Sequence, residues 1–165
     1  MKILVFSDSH GDTEKIDEII HAESLCTELV IHLGDKATDI SYIRDRYPQI
    51  AFISVRGNCD FFGIPHEAPS DYCVTLEKRR IYMTHGHLKG VKSGDLSGLE
   101  YEAHKNNCDI VLYGHTHVAR LDNKDGVYYF NPGSISRPRD ATAGTYGVIT
   151  LDKAGAEFKI VKLNN

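Results

Sequence analysis

The stretch ILVFSDSHGD, residues 3–12, decides how this chain is read. Ile3, Leu4, Val5 and Phe6 form a short apolar run of the kind that makes a buried strand. The run stops at Asp8 and His10, a carboxylate and an imidazole two residues apart. The same arrangement returns along the chain. Leu29–Leu33 ends in Gly34-Asp35, and Ile50–Val55 ends in Arg56-Gly57-Asn58-Cys59-Asp60. Ile81–Thr84 runs into His85-Gly86-His87, and Ile110–Tyr113 into Gly114-His115-Thr116-His117. Five apolar runs thus end in side chains able to bind a metal.

The segments between these runs set the expected architecture. Asp12 or Thr13 can cap a helix that puts Ile16, Ile19 and Ile20 on one face. Ile40, Ile43 and Tyr47 mark a second helix, stopped by Pro48. The alternation of strands and helices argues for βαβ units and a mainly parallel sheet. Phe61–Ser70, with Pro65 and Pro69, reads as a loop, and Tyr72–Leu76 pairs with Ile81–Thr84 as a hairpin. A helix then carries Leu96, Leu99 and Ala103. The remainder is β-rich, with strands at Val118–Leu121, Val127–Phe130, Tyr146–Leu151 and Phe158–Leu163. There is no internal repeat or linker, so one domain over residues 1–165 is expected.

Bulk properties narrow the function classes. Hydrophobic residues at 41% and charged residues at 25% are ordinary for a globular chain of 165 residues, which excludes a disordered protein. A net charge of −4 argues against coating nucleic acid through phosphate contacts. Ile3–Phe6 is too short for a signal-peptide core, and no later run is long enough to span a membrane. A cytoplasmic protein with no membrane or nucleic-acid partner is the expectation. Cys26, Cys59, Cys73 and Cys108 contain no CxxC pair, which removes zinc ribbons and thiol redox motifs.

Each polar motif taken singly is weak. Asp-x-His is common, and Gly-Asp and Gly-Asn-x-Asp are ordinary turns. Their repetition at the ends of apolar runs is not ordinary. In open α/β sheets, ligands bind beyond the carboxyl ends of the strands, so these side chains can converge. Asp8, His10, Asp35, Asn58, His85, His115 and His117 offer carboxylate, imidazole and amide donors. That set suits Mn, Fe, Zn, Ni or Co better than Ca. Seven donors exceed one tetrahedral centre and fit two ions about 3.5–4 Å apart, sharing a carboxylate. Phosphoester hydrolysis is the chemistry that most needs such a pair, and metal-assisted amide hydrolysis stays open on these grounds. His21 and His104 fall on predicted helices, His32 inside a strand, and His66 in a loop; none is read as a ligand.

The ordered set Asp8-Ser9-His10, Gly34-Asp35, Gly57-Asn58-Cys59-Asp60, His85-Gly86-His87 and Gly114-His115-Thr116-His117 resembles that of the calcineurin-like metallophosphoesterases. Asn131-Pro132-Gly133-Ser134 and Arg137-Pro138-Arg139 are similar to the small prokaryotic phosphodiesterase branch, of YfcE type. The resemblance implies a four-layer α-β-β-α sandwich of two mixed sheets. It implies a first metal on Asp8, His10, Asp35 and His117, and a second on Asp35, Asn58, His85 and His115. It further implies manganese, with nickel, iron, zinc and cobalt as substitutes, a bridging hydroxide as nucleophile, a small phosphodiester as substrate, and a homo-oligomer. Most of the superfamily has His where this chain has Cys59, which leaves the leaving-group acid open; His87 is the candidate. Two rival functions are a phosphomonoesterase and a non-catalytic interaction scaffold of the same fold. Arg137 and Arg139 could bind phosphate or serve a subunit contact, and Arg56 is equally ambiguous.

Overall fold

The computed structural model describes residues 1–60, 68–140 and 143–163. Most of the expected loop at 61–70, with His66, lies outside the described residues. The strands are β1 (Lys2–Phe6), β2 (Thr27–His32), β3 (Ala51–Ser54), β4 (Asp71–Leu76) and β5 (Arg79–Thr84), followed by β6 (Ile110–Leu112), β7 (Ala119–Lys124), β8 (Val127–Pro132), β9 (Thr145–Leu151) and β10 (Ala156–Lys162). The helices are α1 (Thr13–Glu23), α2 (Thr38–Ser41) and α3 (Ser97–Asn106).

Two five-stranded sheets form, in the orders β10-β9-β1-β2-β3 and β4-β5-β6-β8-β7. Each has a parallel centre, β1-β2-β3 in one and β5-β6-β8 in the other. Antiparallel pairs flank both centres. The two mixed sheets that the resemblance implies are present, whereas the mainly parallel sheet read from the βαβ order is corrected: only the centre of each sheet is parallel. The reason is a long-range pairing. β9 returns from the far end of the chain to lie antiparallel to β1, with Ile3 opposite Ile149. Hairpins make the remaining antiparallel pairs; the β7–β8 turn uses Asp125 and Gly126, both at positive φ, as a tight hairpin requires.

Strand alternation builds the layers. Ile3 and Val5 of β1, Leu29 and Ile31 of β2, Ile81 and Met83 of β5, and Ile110 and Leu112 of β6 fill the space between the sheets. Their neighbours point the other way. Leu4, Phe6 and Val30 pack under Ile16, Ile19 and Ile20 of α1. Tyr82 and Val111 pack under Leu99 and Ala103 of α3. Every central strand is thus apolar on both faces, which is why the runs read as continuous rather than alternating.

Asp12 is the α1 cap, its side chain accepting from the Lys15 amide at 3.3 Å. The second expected helix is corrected to two short turns. α2 spans four residues, and a 3₁₀ turn follows at Arg44–Arg46. Bonds from Ile43 N to Ile40 O and from Arg46 N to Ile43 O keep the tighter i to i+3 pattern. Ile40, Ile43 and Tyr47 are nevertheless all buried. The Tyr47 hydroxyl donates to Asp17 on α1 at 3.0 Å, so tertiary packing rather than a continuous helix holds the segment. No helix among the described residues is long and apolar enough to cross a membrane.

Candidate metal centre

The donors come from five loops that follow β1, β2, β3, β5 and β6, so both sheets contribute. The Asp8 carboxylate accepts from the His115 amide at 3.0 Å, which ties the loop after β1 to the loop after β6. Gly114 allows this approach: a Cβ there would lie 1.9 Å from Ser7 Oγ. Asp8, His10, Asp35, His115 and His117 all have φ between +48° and +68°. Each such residue costs on the order of 1–3 kcal/mol in backbone strain, and such strain clusters at functional sites.

Asp8, His10, Asp35 and His117 each present one ligand atom, and those atoms lie within 4.8 Å of one another. His85 Nε2 lies 3.4 Å from Asp35 Oδ1 and 3.9 Å from Asp8 Oδ1. The His85 and His115 rings are 5.1 Å apart, centroid to centroid. Asn58 lines the same cavity, and its buried Oδ1 has no hydrogen-bond partner among the described residues. All seven sequence-selected donors are therefore gathered at one end of the sandwich.

The ring nitrogens decide what this gathering can do. His117 Nδ1 bonds the Arg137 carbonyl at 2.7 Å, and His85 Nδ1 bonds the Leu33 carbonyl at 2.7 Å. A carbonyl only accepts, so the proton sits on Nδ1 in both neutral rings. Each Nε2 lone pair then faces the centre, where it meets other acceptors. His117 Nε2 is 3.1 Å from Asp8 Oδ1 and 3.4 Å from His10 Nε2. Lone pairs in buried contact repel unless a cation lies between them, either a proton or a metal. With the rings neutral, Asp8 Oδ1 and His85 Nε2 are buried without a hydrogen-bond partner among the described residues, which fits a metal-binding role; protonation at Nε2 turns the contacts with Asp8 and Asp35 into hydrogen bonds.

Protonation follows the same geometry. The hydrogen bond to Asp8 raises the His117 pKa above its ordinary value against the effect of burial. Burial opposes a charge on His85, but the bond to Asp35 and the charges of Asp8 and Asp35 outweigh it, and its pKa also rises. Burial likewise opposes ionisation of Asp8 and Asp35. The bond to His117 holds Asp8 below the usual carboxylate range, and the bond to His85 does so for Asp35. Burial, then the nearby positive groups Arg137 and His85 respectively, lower His10 and His115. Burial and the Asp35 carboxylate push the Cys59 thiol up.

Residues outside the donor set brace these loops. The Asp60 carboxylate accepts from the amides of Asp35, Lys36, Ala37 and Gly57 at 2.7 to 3.1 Å, joining the loops after β2 and β3. Its place at the end of Gly57-Asn58-Cys59-Asp60 was visible, but its partners were not. His32 Nδ1 accepts from Gly34 N, so His32 donates from Nε2 to Ser9 Oγ at 2.9 Å. Ser9 donates in turn to Asp39 at 2.6 Å, and Asp39 also accepts from Gly11 N. This chain holds the backbone on both sides of His10. Asn131 donates to the Gly114 carbonyl at 2.9 Å, and Ser134 to the Asp8 carbonyl at 2.8 Å.

A cavity of about 430 Å³ opens over the donors. Cys59, Arg137 and Arg139 line it with Lys92, a residue that carries no signal in the sequence. The His87 ring stands 5.4 Å from that of His85 and 6.2 Å from that of His115, and its buried Nδ1 has no hydrogen-bond partner among the described residues. Removing Asp60 tests the bracing. Asp60→Ala leaves four backbone N–H groups without their acceptor, and urea denaturation should show a loss of about 3 kcal/mol or more. Unchanged stability would show that the carboxylate does not hold the loops.

The comparisons agree with this geometry. The family model described as the calcineurin-like phosphoesterase superfamily domain matches residues 1–154. The chain is 34% identical to the probable metallophosphoesterase YsnB of Bacillus subtilis, over 96% of this chain and 89% of that protein. It is 35% identical to the phosphodiesterase YfcE of Escherichia coli, over 92% and 89% respectively. A crystal structure of a conserved uncharacterized protein from Streptococcus pneumoniae, described as a predicted phosphoesterase, superposes with a TM-score of 0.80 at 28% identity. It covers 98% of this chain and 88% of that one. Donor set, two-sheet architecture and family match coincide: this chain belongs to the calcineurin-like phosphoesterase superfamily.

Proposed function

We propose that this enzyme is a metal-dependent phosphodiesterase acting on a small phosphodiester. The observation that carries the reading is the set of lone pairs facing one another at Asp8, His117, His85 and Asp35. Asp8, His10, Asp35 and His117 would hold one divalent ion, and Asp35, Asn58, His85 and His115 a second. Asp35 would serve both, because it lies within reach of both the Asp8 group and His85. When bound, such a pair acidifies a water and neutralises charge on the phosphoryl oxygens. Manganese is the proposed ion, with nickel, iron, zinc and cobalt compatible with the same nitrogen and oxygen donors.

The chain's own residues do the rest. Asp8 and Asp35 stay anionic, and the carbonyls of Leu33 and Arg137 hold the His85 and His117 rings in the ligating tautomer. Cys59 stays a neutral thiol and supplies no strong acid. Burial and the neighbouring His85 keep His87 neutral. We assign His87 to the leaving oxygen, to which a ring N–H would donate a hydrogen bond. The phosphodiesterase named YfcE supports a diester over a monoester, and the cavity has room for substituents on two phosphoryl oxygens. We place the enzyme in the cytoplasm as a homo-oligomer, with no nucleic-acid or membrane partner; its net charge of −4 supports the exclusion of nucleic acid.

Hydrolysis of bis-p-nitrophenyl phosphate should vanish on chelation and return with Mn²⁺. Asn58→Ala and His115→Ala should each lose about a hundredfold or more in kcat/KM while the fold persists by circular dichroism. Absence of metal-dependent turnover with any first-row ion would overturn the reading. For His87→Asn, the loss in kcat should be several-fold larger for an alkyl ester than for the p-nitrophenyl ester, whose leaving group needs little help. Equal losses would remove His87 from that role.

The raised pKa values of His85 and His117 fix the sign of a pH effect. Without metal, the imidazolium–carboxylate contacts stabilise the fold fully below the ordinary imidazole value of about 6.5. That stabilisation is lost as pH rises through the raised values. Metal must displace the same protons, so Mn²⁺ affinity should fall as pH drops below those values, with proton release on binding. Calorimetric titration in buffers of different ionisation enthalpy measures both, and a pH-independent affinity would contradict the ligand assignment.

A further inference from the structure

Among the described residues, nine lysine and arginine side chains are ion-paired: Lys2, Lys15, Arg44, Arg46, Arg79, Lys89, Lys105, Arg120 and Lys124. Lys92, Arg137 and Arg139 have no acidic partner within 4.0 Å among the described residues, and all three line the donor cavity. Among the described residues the only carboxylate in the lining is Asp35, which is committed to the donor cluster. Three cations in one cavity of an acidic protein are a concentration of charge that a single phosphodiester does not require. With two divalent ions, the carboxylates of Asp8 and Asp35 and a hydroxide leave about one positive charge, which one diester anion balances.

The cations are also placed on anchored backbone. Arg137 N donates to Ser134 Oγ at 2.9 Å, and Arg139 N donates to the His117 carbonyl at 3.0 Å, so this segment is tied to a proposed ligand. Lys92 sits on a 3₁₀ turn, Val91–Ser93, held by the buried Val91 and bounded by Gly90 and Gly94 at positive φ. The volume of about 430 Å³ is that of a small-molecule pocket rather than of one phosphate group.

We propose that Lys92, Arg137 and Arg139 form a second anion subsite, which makes the preferred substrate a phosphodiester carrying a further phosphoryl group on its organic part. This rests on the phosphodiesterase reading above. Guanidinium forks bind phosphoryl oxygens in pairs, and a lysine adds a point charge.

The test compares two matched esters with the Mn²⁺-loaded enzyme: the p-nitrophenyl ester of thymidine 5′-phosphate, with and without a 3′-phosphate. The 3′-phosphorylated ester should have a kcat/KM about tenfold higher or more. In the Lys92→Met/Arg139→Gln double variant that ratio should fall to near one, whereas Lys105→Met, on α3, should keep it. Both subsite residues are exposed, so the core survives their replacement. Calorimetry supplies a second readout: thymidine 3′,5′-bisphosphate should bind wild-type protein about tenfold tighter than thymidine 5′-phosphate, and the double variant should lose the difference. Equal binding of the two nucleotides, or a preference that survives the double substitution, overturns the subsite. Failure to hydrolyse either ester would instead overturn the phosphodiesterase reading, while the binding preference still decides the subsite.

Discussion

Mutual repulsion of buried acceptors is the constraint around which the rest of this molecule is arranged. Asp8 Oδ1, His117 Nε2, His85 Nε2 and Asp35 Oδ1 are held closer together than unprotonated groups tolerate without a cation. Once the imidazoles give up their protons, folding must supply enough binding energy elsewhere to keep them there. The space between the sheets supplies it, through Ile3, Val5, Leu29, Ile31, Ile81, Met83, Ile110 and Leu112, the residues just upstream of the donors. Hydrophobic burial along a strand and electrostatic conflict at its end are parts of the same structure.

Backbone strain is distributed in the same way. Five proposed ligands adopt left-handed conformations, and buried polar groups brace the loops that carry them. Asp60 collects amides from two loops, Asp39 collects Ser9 and Gly11 around His10, and Asn131 restrains the turn before His115. Such residues would pass as ordinary surface polars in composition, yet Asp39, Asp60 and Asn131 are all buried. Their carboxylates and amides act at fixed positions in the fold, and the donors inherit that fixity.

What the sequence disclosed follows from range. Asp8, His10, Asp35, His85, His115 and His117 were legible because each sits within a few residues of the apolar strand that delivers it, and that proximity is a local pattern. α1 was legible for the same reason, with Asp12 and the isoleucine stripe close together. The pairing of β9 with β1 was not legible, because it joins Ile3 to Ile149 and nothing near either residue announces the other. The broken second helix has a related cause: Ile40, Ile43 and Tyr47 mark a buried face, but short turns bury that face as well as a helix does. Lys92 was not legible because a lone lysine between glycines carries no signal until the cavity places it beside Arg137 and Arg139.

The contact between Cys59 and Asp35 has an evolutionary consequence. Asp35 Oδ1 accepts the Cys59 amide at 2.8 Å, a bond made by the main chain, which any residue other than proline supplies. The thiol itself only meets Asn58 Nδ2 at 3.4 Å, so the main-chain bond, not the side chain, fixes position 59 against Asp35. Residue 59 can therefore vary in the course of evolution with the bond to Asp35 intact, changing the chemistry of the cavity wall without rebuilding its framework.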